Sequence, residues 1–121
     1  MILLTGATGY VGGRLMRRLE SEGRALRCLV RRPEQFRGRA AAGTEIAAGD
    51  VTDRDSVARA LAGVEVAYYL VHSMGSPEDF ETRDRLAASI FASAAARAGL
   101  KRIVYPVSYT HLRAHETKAN L

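Results

Sequence analysis

Gly6, Gly9 and Gly12 recur at three-residue intervals in "TGATGYVGG", where an apolar run breaks and a helical pattern begins. Glycine in that setting serves the holding of an anion. A turn from a parallel strand into a helix leaves backbone N–H groups unpaired at the helix N-terminus, and with the helix dipole they favour negative charge. Glycine allows the tight turn, the close approach of a pyrophosphate and the packing of helix on strand. An ordinary tight turn also uses glycine. A strand before, a helix after and further βα units beyond favour a dinucleotide site.

Residues that could complete such a site follow at the ends of the later apolar runs. The second run ends "LVRRP", so Arg31 and Arg32 stand about 20 residues on, where an acid would bind the adenosine ribose 2′-hydroxyl and an arginine a 2′-phosphate. A guanidinium engages phosphate bidentately, which favours NADP over NAD, with NAD still possible. Two solvated arginines at a strand end are the competing reading. In "GDVTD", the Asp50 carboxylate could accept a hydrogen bond from the adenine amino group while Val51 packs on the ring; Asp53 fits a helix cap. "YLVHS" would bring Leu70, Val71 and His72 to the crevice between the first and fourth strands, the topological switch point. There His72 either lines the pocket or is merely a polar strand terminus.

Positioning these residues requires alternating strands and helices. Strands are expected at Met1 to Leu4, "ALRCLV", "TEIAA", "VEVAYYLV" and "RIVY". Between them, helices are expected from Tyr10 to about Glu22, at Pro33, from about Arg54 to Leu61 and from about Phe80 to Ala98. Val11, Leu15, Met16 and Leu19 share one face of the first helix, and Gly23 and Gly99 stop the first and last. No repeat or linker divides the chain.

Composition excludes several classes. At 121 residues the chain is the size of one small domain, and its 47% hydrophobic content suits a globular core. No apolar run approaches the roughly 18 residues of a membrane span. Met1 opens directly on strand-like residues, so no signal peptide is expected. Cys28, the single cysteine, sits in an apolar strand and reads as packing. The net charge of +5 comes from arginines interleaved with acids, as in "RDRL" and "TDRDSVAR", rather than from one basic patch, so no nucleic-acid partner is expected. The expectation is a soluble, cytoplasmic protein without a metal site.

Together "TGATGYVG", "LVRRP", "GDVTD" and "YYLVHSMG", with the helix leading to "KRIVY", resemble the atypical, NmrA-like and epimerase-like branch of the short-chain dehydrogenase/reductase superfamily of NAD(P)-binding proteins, over Met1 to Tyr105. The resemblance implies an α/β fold, a Rossmann-type doubly wound parallel sheet ordered 3-2-1-4-5 and truncated after the fifth strand. It implies cofactor contacts at Gly6, Thr8, Gly9, Tyr10, Val11, Gly12, Arg31, Arg32 and Asp50. Classical and extended members of the superfamily use a Tyr-x-x-x-Lys pair for proton transfer, and many atypical members lack it. No tyrosine here has a lysine four positions later, so no catalytic residue is assigned. The superfamily's substrate half normally follows the fifth strand. Two functions remain: the cofactor half of an NADP-preferring oxidoreductase or epimerase-like protein acting on an unknown small molecule, or a non-catalytic NAD(P)-sensing regulator.

Residues 106–121, "PVSYTHLRAHETKANL", depart from the Ser/Gly-rich strand end expected there. His111 and His115 are spaced as metal ligands on one helical face, and Ser108, Tyr109 and Arg113 loosely imitate a catalytic trio. The segment instead resembles a translated transposase sequencing adapter. The adapter reads GTC TCT TAT ACA CAT CTC CGA GCC CAC GAG in one frame, which encodes Val107 to Glu116 without a mismatch. The bases before and after fit Pro106 and Thr117, and the constant stretch beyond the index fits Asn120 and Leu121. The NAD(P)-binding domain is therefore expected to comprise residues 1–105. Setting aside Arg113, Glu116 and Lys118 lowers the net charge from +5 to +4. Sequencing the genomic locus across the codon for Pro106 is expected to show the frame continuing from "KRIVY" into a substrate-binding segment. A locus encoding "VSYTHLRAHETKANL" would overturn the adapter origin and make His111 and His115 the residues to test.

Overall fold

Alternate side chains of "ILLT" face opposite sides of a sheet, and all four residues of this first strand, β1 (Ile2–Thr5), are buried. A strand buried on both faces belongs inside a parallel sheet covered by helices. In the computed structural model β1 pairs in parallel with β2 (Leu26–Val30) on one side and β4 (Val66–Tyr69) on the other. Beyond β2 lies β3 (Glu45–Ala48), and beyond β4 lies β5 (Arg102–Val104). The order is 3-2-1-4-5, the arrangement expected from the sequence. The structure describes residues 1–70 and 77–105, with side chains for 1–70 and 85–105. His72 and residues 106–121 lie outside the described residues.

Among the described residues, four α-helices cover the sheet: α1 (Tyr10–Ser21), α2 (Pro33–Phe36), α3 (Arg54–Ala60) and α4 (Pro77–Ala98). Ile2, Leu4, Leu26, Cys28 and Val30 form one core with Met16 and Leu19 of α1 and Phe36 of α2. Leu3, Leu29, Ala67 and Tyr69 form the other with Val57 and Leu61 near α3 and Ile90 and Phe91 of α4. Helix ends follow the sequence signals. Gly23 adopts φ +71°, its N–H reaches the Glu20 carbonyl, and Arg24 N–H reaches that of Leu19, satisfying the last carbonyls of α1. Asp53 caps α3 by accepting from Asp55 N–H at 3.1 Å.

Several details differ from the sequence reading. Arg37–Arg39 form a 3₁₀ turn that no periodic pattern announces. The regular part of β4 is only Val66–Tyr69, and α4 begins at Pro77, a turn before Phe80. Val11 shares a nominal face with Met16 and Leu19, yet it is 59% exposed. The buried stripe of α1 is rotated so that Gly12 and Gly13 face inward beside Met16 and Leu19. Backbone-to-backbone contact there leaves no room for the apolar side chain that would normally define the stripe.

Arg27 ties the two layers together. Its guanidinium donates to the Ala60 and Ala62 carbonyls at 2.6 and 2.8 Å, at the C-terminal end of α3, and to Glu45 at 2.7 Å. Cations at a helix C-terminus satisfy orphan carbonyls and complement the dipole. Arg27→Leu is expected to lower unfolding stability in urea by about 1–3 kcal/mol, because those carbonyls lose a charged donor. Glu45→Gln, which removes only the charge of the more exposed partner, should cost under about 1 kcal/mol.

Candidate functional site

Strand ends bring the sequence-selected residues together. Gly6 follows β1, Arg31 and Arg32 follow β2, Asp50 follows β3 and Leu70 follows β4, so all emerge at the carboxyl edge of one parallel sheet. There a cleft of about 960 Å³ is lined by Gly6, Thr8, Gly9, Arg31, Arg32, Asp50, Val51 and Leu70. Tyr10, Val11 and Gly12 are not on its wall. Tyr10 and Val11 are exposed at the start of α1, and Gly12 is buried beneath the loop.

The three glycines are required for different reasons. Gly6 adopts φ +87°, and a β-carbon there would fall 2.5 Å from the Leu70 carbonyl oxygen. A β-carbon on Gly12 would lie 2.0 Å from the Gly6 carbonyl oxygen. Both are fixed by the fold itself. Gly9 has an ordinary φ of −81°, and a β-carbon there would meet only the Gly6 carbonyl oxygen, at 3.5 Å. Among the described residues nothing demands glycine at position 9, and Gly9 lies on the cleft wall. The loop therefore suits a group that approaches the backbone closely.

Electrostatics favour an anion at this place. The first turn of α1 has no acidic residue, and Gly9 offers no side chain to cap it. Gly13 N–H makes the first helical bond, to the Gly9 carbonyl at 2.8 Å, leaving the N–H groups of Tyr10, Val11 and Gly12 without intrahelical acceptors. Arg31 and Arg32 are exposed beside the cleft, and among the described residues neither forms an ion pair. One oxygen of Asp50 is occupied, accepting from the backbone N–H and hydroxyl of Thr52 at 3.0 and 2.9 Å. Its second oxygen carries whatever acceptor role the residue has toward a ligand.

Gly49 and Ser56 support Asp50 without being conspicuous in the sequence. A β-carbon on Gly49 would fall 2.4 Å from that of Ser56, so α3 sits directly on the end of β3. The buried Ser56 hydroxyl accepts from Asp50 N–H at 3.0 Å and faces the carbonyls of Asp50 and Asp53. The glycine and the serine near a helix start were the only signals. Thr52, from the "GDVTD" segment, also lines the cleft, as do Gln35, Phe36, Arg39 and Ala87, to which no motif points because they come from a four-residue helix, a 3₁₀ turn and α4. Cys28 lies in the core below, where burial, reinforced by the Glu20 charge, pushes its thiol pKa up to about 12. It stays a protonated packing residue. Among the described residues no group of three or more His, Cys, Asp and Glu could hold a metal, and no helix is long and apolar enough to cross a membrane.

A family profile described as NAD(P)H-binding matches residues 6–119. The chain belongs to this NAD(P)H-binding family. It is 39% identical over 104 residues to (4-alkanoyl-5-oxo-2,5-dihydrofuran-3-yl)methyl phosphate reductase of Streptomyces griseus subsp. griseus, an alignment covering 86% of this chain and 33% of the relative. The Citrobacter sp. triphenylmethane reductase complexed with NADP(H) superposes with TM-score 0.73 at 30% identity, over 86% of this chain and 36% of that one. A short-chain dehydrogenase/reductase superfamily protein of Agrobacterium tumefaciens with bound NAD gives TM-score 0.69 at 30% identity, over 87% and 31%. This NAD(P)H-binding chain thus spans about a third of the length of the relatives it matches.

The glycine geometry separates fold from ligand. Gly12→Ala is expected to destabilise the domain by about 2 kcal/mol or more, since the helix must lift off the loop. Gly9→Ala should leave stability unchanged or raise it by up to about 1 kcal/mol, because alanine adopts that backbone conformation freely. Urea denaturation of the two variants checks the contrast.

Proposed function

We propose that the chain is the cofactor-binding half of an NADP-preferring oxidoreductase or epimerase-like protein, with the cofactor lying across the cleft at the carboxyl edge of the sheet. One observation carries the preference: Arg31 and Arg32 stand on the cleft wall at the end of β2, the place where a carboxylate would instead mark NAD. Bound NADP(H) supplies or accepts a hydride. The chain's own residues bind and orient. The free N–H groups of the first turn of α1 hold the pyrophosphate, and Gly9 lets it reach the backbone. Arg31 and Arg32 hold the 2′-phosphate. The second oxygen of Asp50 accepts from the adenine amino group, and Val51 packs on the ring. Leu70, beside Gly6 at the switch point, borders the side where the nicotinamide lies.

The same reading makes residues 1–105 the native domain and residues 106–121 adapter-derived, with the substrate-binding half encoded beyond "KRIVY". A small-molecule substrate and the proton-transfer residues then belong to that half. A single buried, protonated cysteine and an NADP site suit the cytoplasm.

Titration with NADPH and NADH tests the proposal. The unaltered chain should bind NADPH more tightly, and Arg31→Asp with Arg32→Ser should shift the affinity ratio toward NADH by at least about tenfold. An unchanged ratio would refute the preference. Gly9→Ala should weaken both cofactors alike while the protein stays folded.

A further inference from the structure

Among the described residues, Arg39 is a guanidinium that reaches from one side of the cleft to the other. It follows α2 in "RRPEQFRGR", on the 3₁₀ turn, and no binding motif points to it. Its guanidinium carbon lies 5.5 Å from the centre of the buried Phe36 ring. Nη1 donates to the Thr8 carbonyl of the glycine loop at 3.4 Å. Nη2 reaches α1 so closely that a β-carbon on Gly13 would fall 3.3 Å from it. One side chain thus crosses from the segment after β2 to the loop after β1, and it lines the cleft on the way.

Among the described residues no acid forms an ion pair with Arg39. Arg18, Arg24, Arg27 and Lys101 form ion pairs, and Arg39 takes part in none of these. Of the described acids nearby in chain or cleft, Glu34 and Asp50 form no ion pair with Arg39, and Glu20 is engaged by Ala41 N–H and the Thr44 hydroxyl at 2.8 and 2.6 Å. The bond to Thr8 is at the long limit for a hydrogen bond, so little is lost when it is exchanged for a charged acceptor. The cation–π contact with Phe36 holds the guanidinium over the ring while its N–H groups remain donors.

We propose that Arg39 is a third cofactor-binding guanidinium, which together with Arg31 and Arg32 clasps the 2′-phosphate of an adenosine dinucleotide and links that phosphate to the glycine loop. The proposal rests on the NADP-preferring reading above. It adds a residue that discriminates the two cofactors from outside the strand-end motif. In a dinucleotide laid across the carboxyl edge of the sheet, the adenosine ribose sits between the ends of β1 and β2, the gap that Arg39 crosses.

The test titrates the full chain with NADPH and with NADH, following nicotinamide fluorescence, for the unaltered protein, Arg39→Ala, Arg39→Lys and the Arg31→Asp/Arg32→Ser double variant. Arg39→Ala is expected to weaken NADPH by about tenfold or more and to leave NADH within about twofold. Arg39→Lys should recover only part of the loss, because an ammonium lacks the planar fork. Melting temperature should stay the same in both. An Arg39→Ala protein that binds NADPH normally, or that loses NADPH and NADH equally, overturns the proposal; equal loss with a lower melting temperature would assign Arg39 to loop support instead. The double variant separates the two claims. If it leaves the NADPH to NADH ratio unchanged, the NADP-preferring reading itself fails. If it shifts the ratio while Arg39→Ala does not, only the assignment of Arg39 fails. Binding of neither cofactor by the unaltered chain contradicts both.

Discussion

The backbone of Gly12 rests on the backbone of Gly6 so closely that a β-carbon would stand 2.0 Å from the Gly6 carbonyl oxygen. The site depends on that contact. It seats the first turn of α1 directly over the end of β1 and aims the unpaired N–H groups of Tyr10, Val11 and Gly12 along the carboxyl edge of the sheet. Gly6, with its positive φ, turns the chain beneath Leu70 and so fixes where β4 ends relative to the loop. Gly13, Met16 and Leu19 then bury the inner face of the helix against the sheet. A side chain at either Gly6 or Gly12 would move the helix and its donors together.

Parallel pairing does the rest of the assembly. With β1 flanked by β2 and β4 in register, every strand delivers its following residues to the same edge. Residues far apart in the chain, Thr8, Arg31, Asp50 and Leu70, thereby share one cleft wall without contacting one another in sequence. Two clamps hold the outer part of that edge. Gly49 N–H reaches the Val30 carbonyl at 2.9 Å, and the Ser56 hydroxyl holds Asp50 N–H at 3.0 Å. The positive charge of Arg31 and Arg32 after β2 shares the cleft with the loop that leads into a helix whose first turn carries no acid. An anionic ligand answers both.

Much of this was legible in the sequence because it rests on short-range signals. Strand periodicity, the glycine stops at Gly23 and Gly99, the cap at Asp53 and the spacing of Gly6, Gly9 and Gly12 each have a local physical cause. Val11 misled because a helical wheel assigns faces by hydrophobicity, whereas here two glycines take the buried face through backbone contact. Arg27 and Arg39 were illegible for another reason. Long side chains find partners across the fold, at Ala60 and Ala62 for one and Thr8 for the other, and no local spacing encodes such reach. Phe36 entered the cleft wall from a helix of four residues, too short for periodicity to mark.

The most direct measurement of the central claim is the backbone amide spectrum of the isotopically labelled chain, recorded with and without NADPH. The claim that the glycine loop and the sheet's carboxyl edge form the dinucleotide site predicts large shifts at Thr8 to Gly12, at Arg31 and Arg32, and at Asp50 and Val51. Residues of the smaller hollow between α3 and α4, such as Ala58, Ser93 and Arg97, should stay in place. Shifts confined to that hollow, or none at the glycine loop at saturating NADPH, would contradict the account.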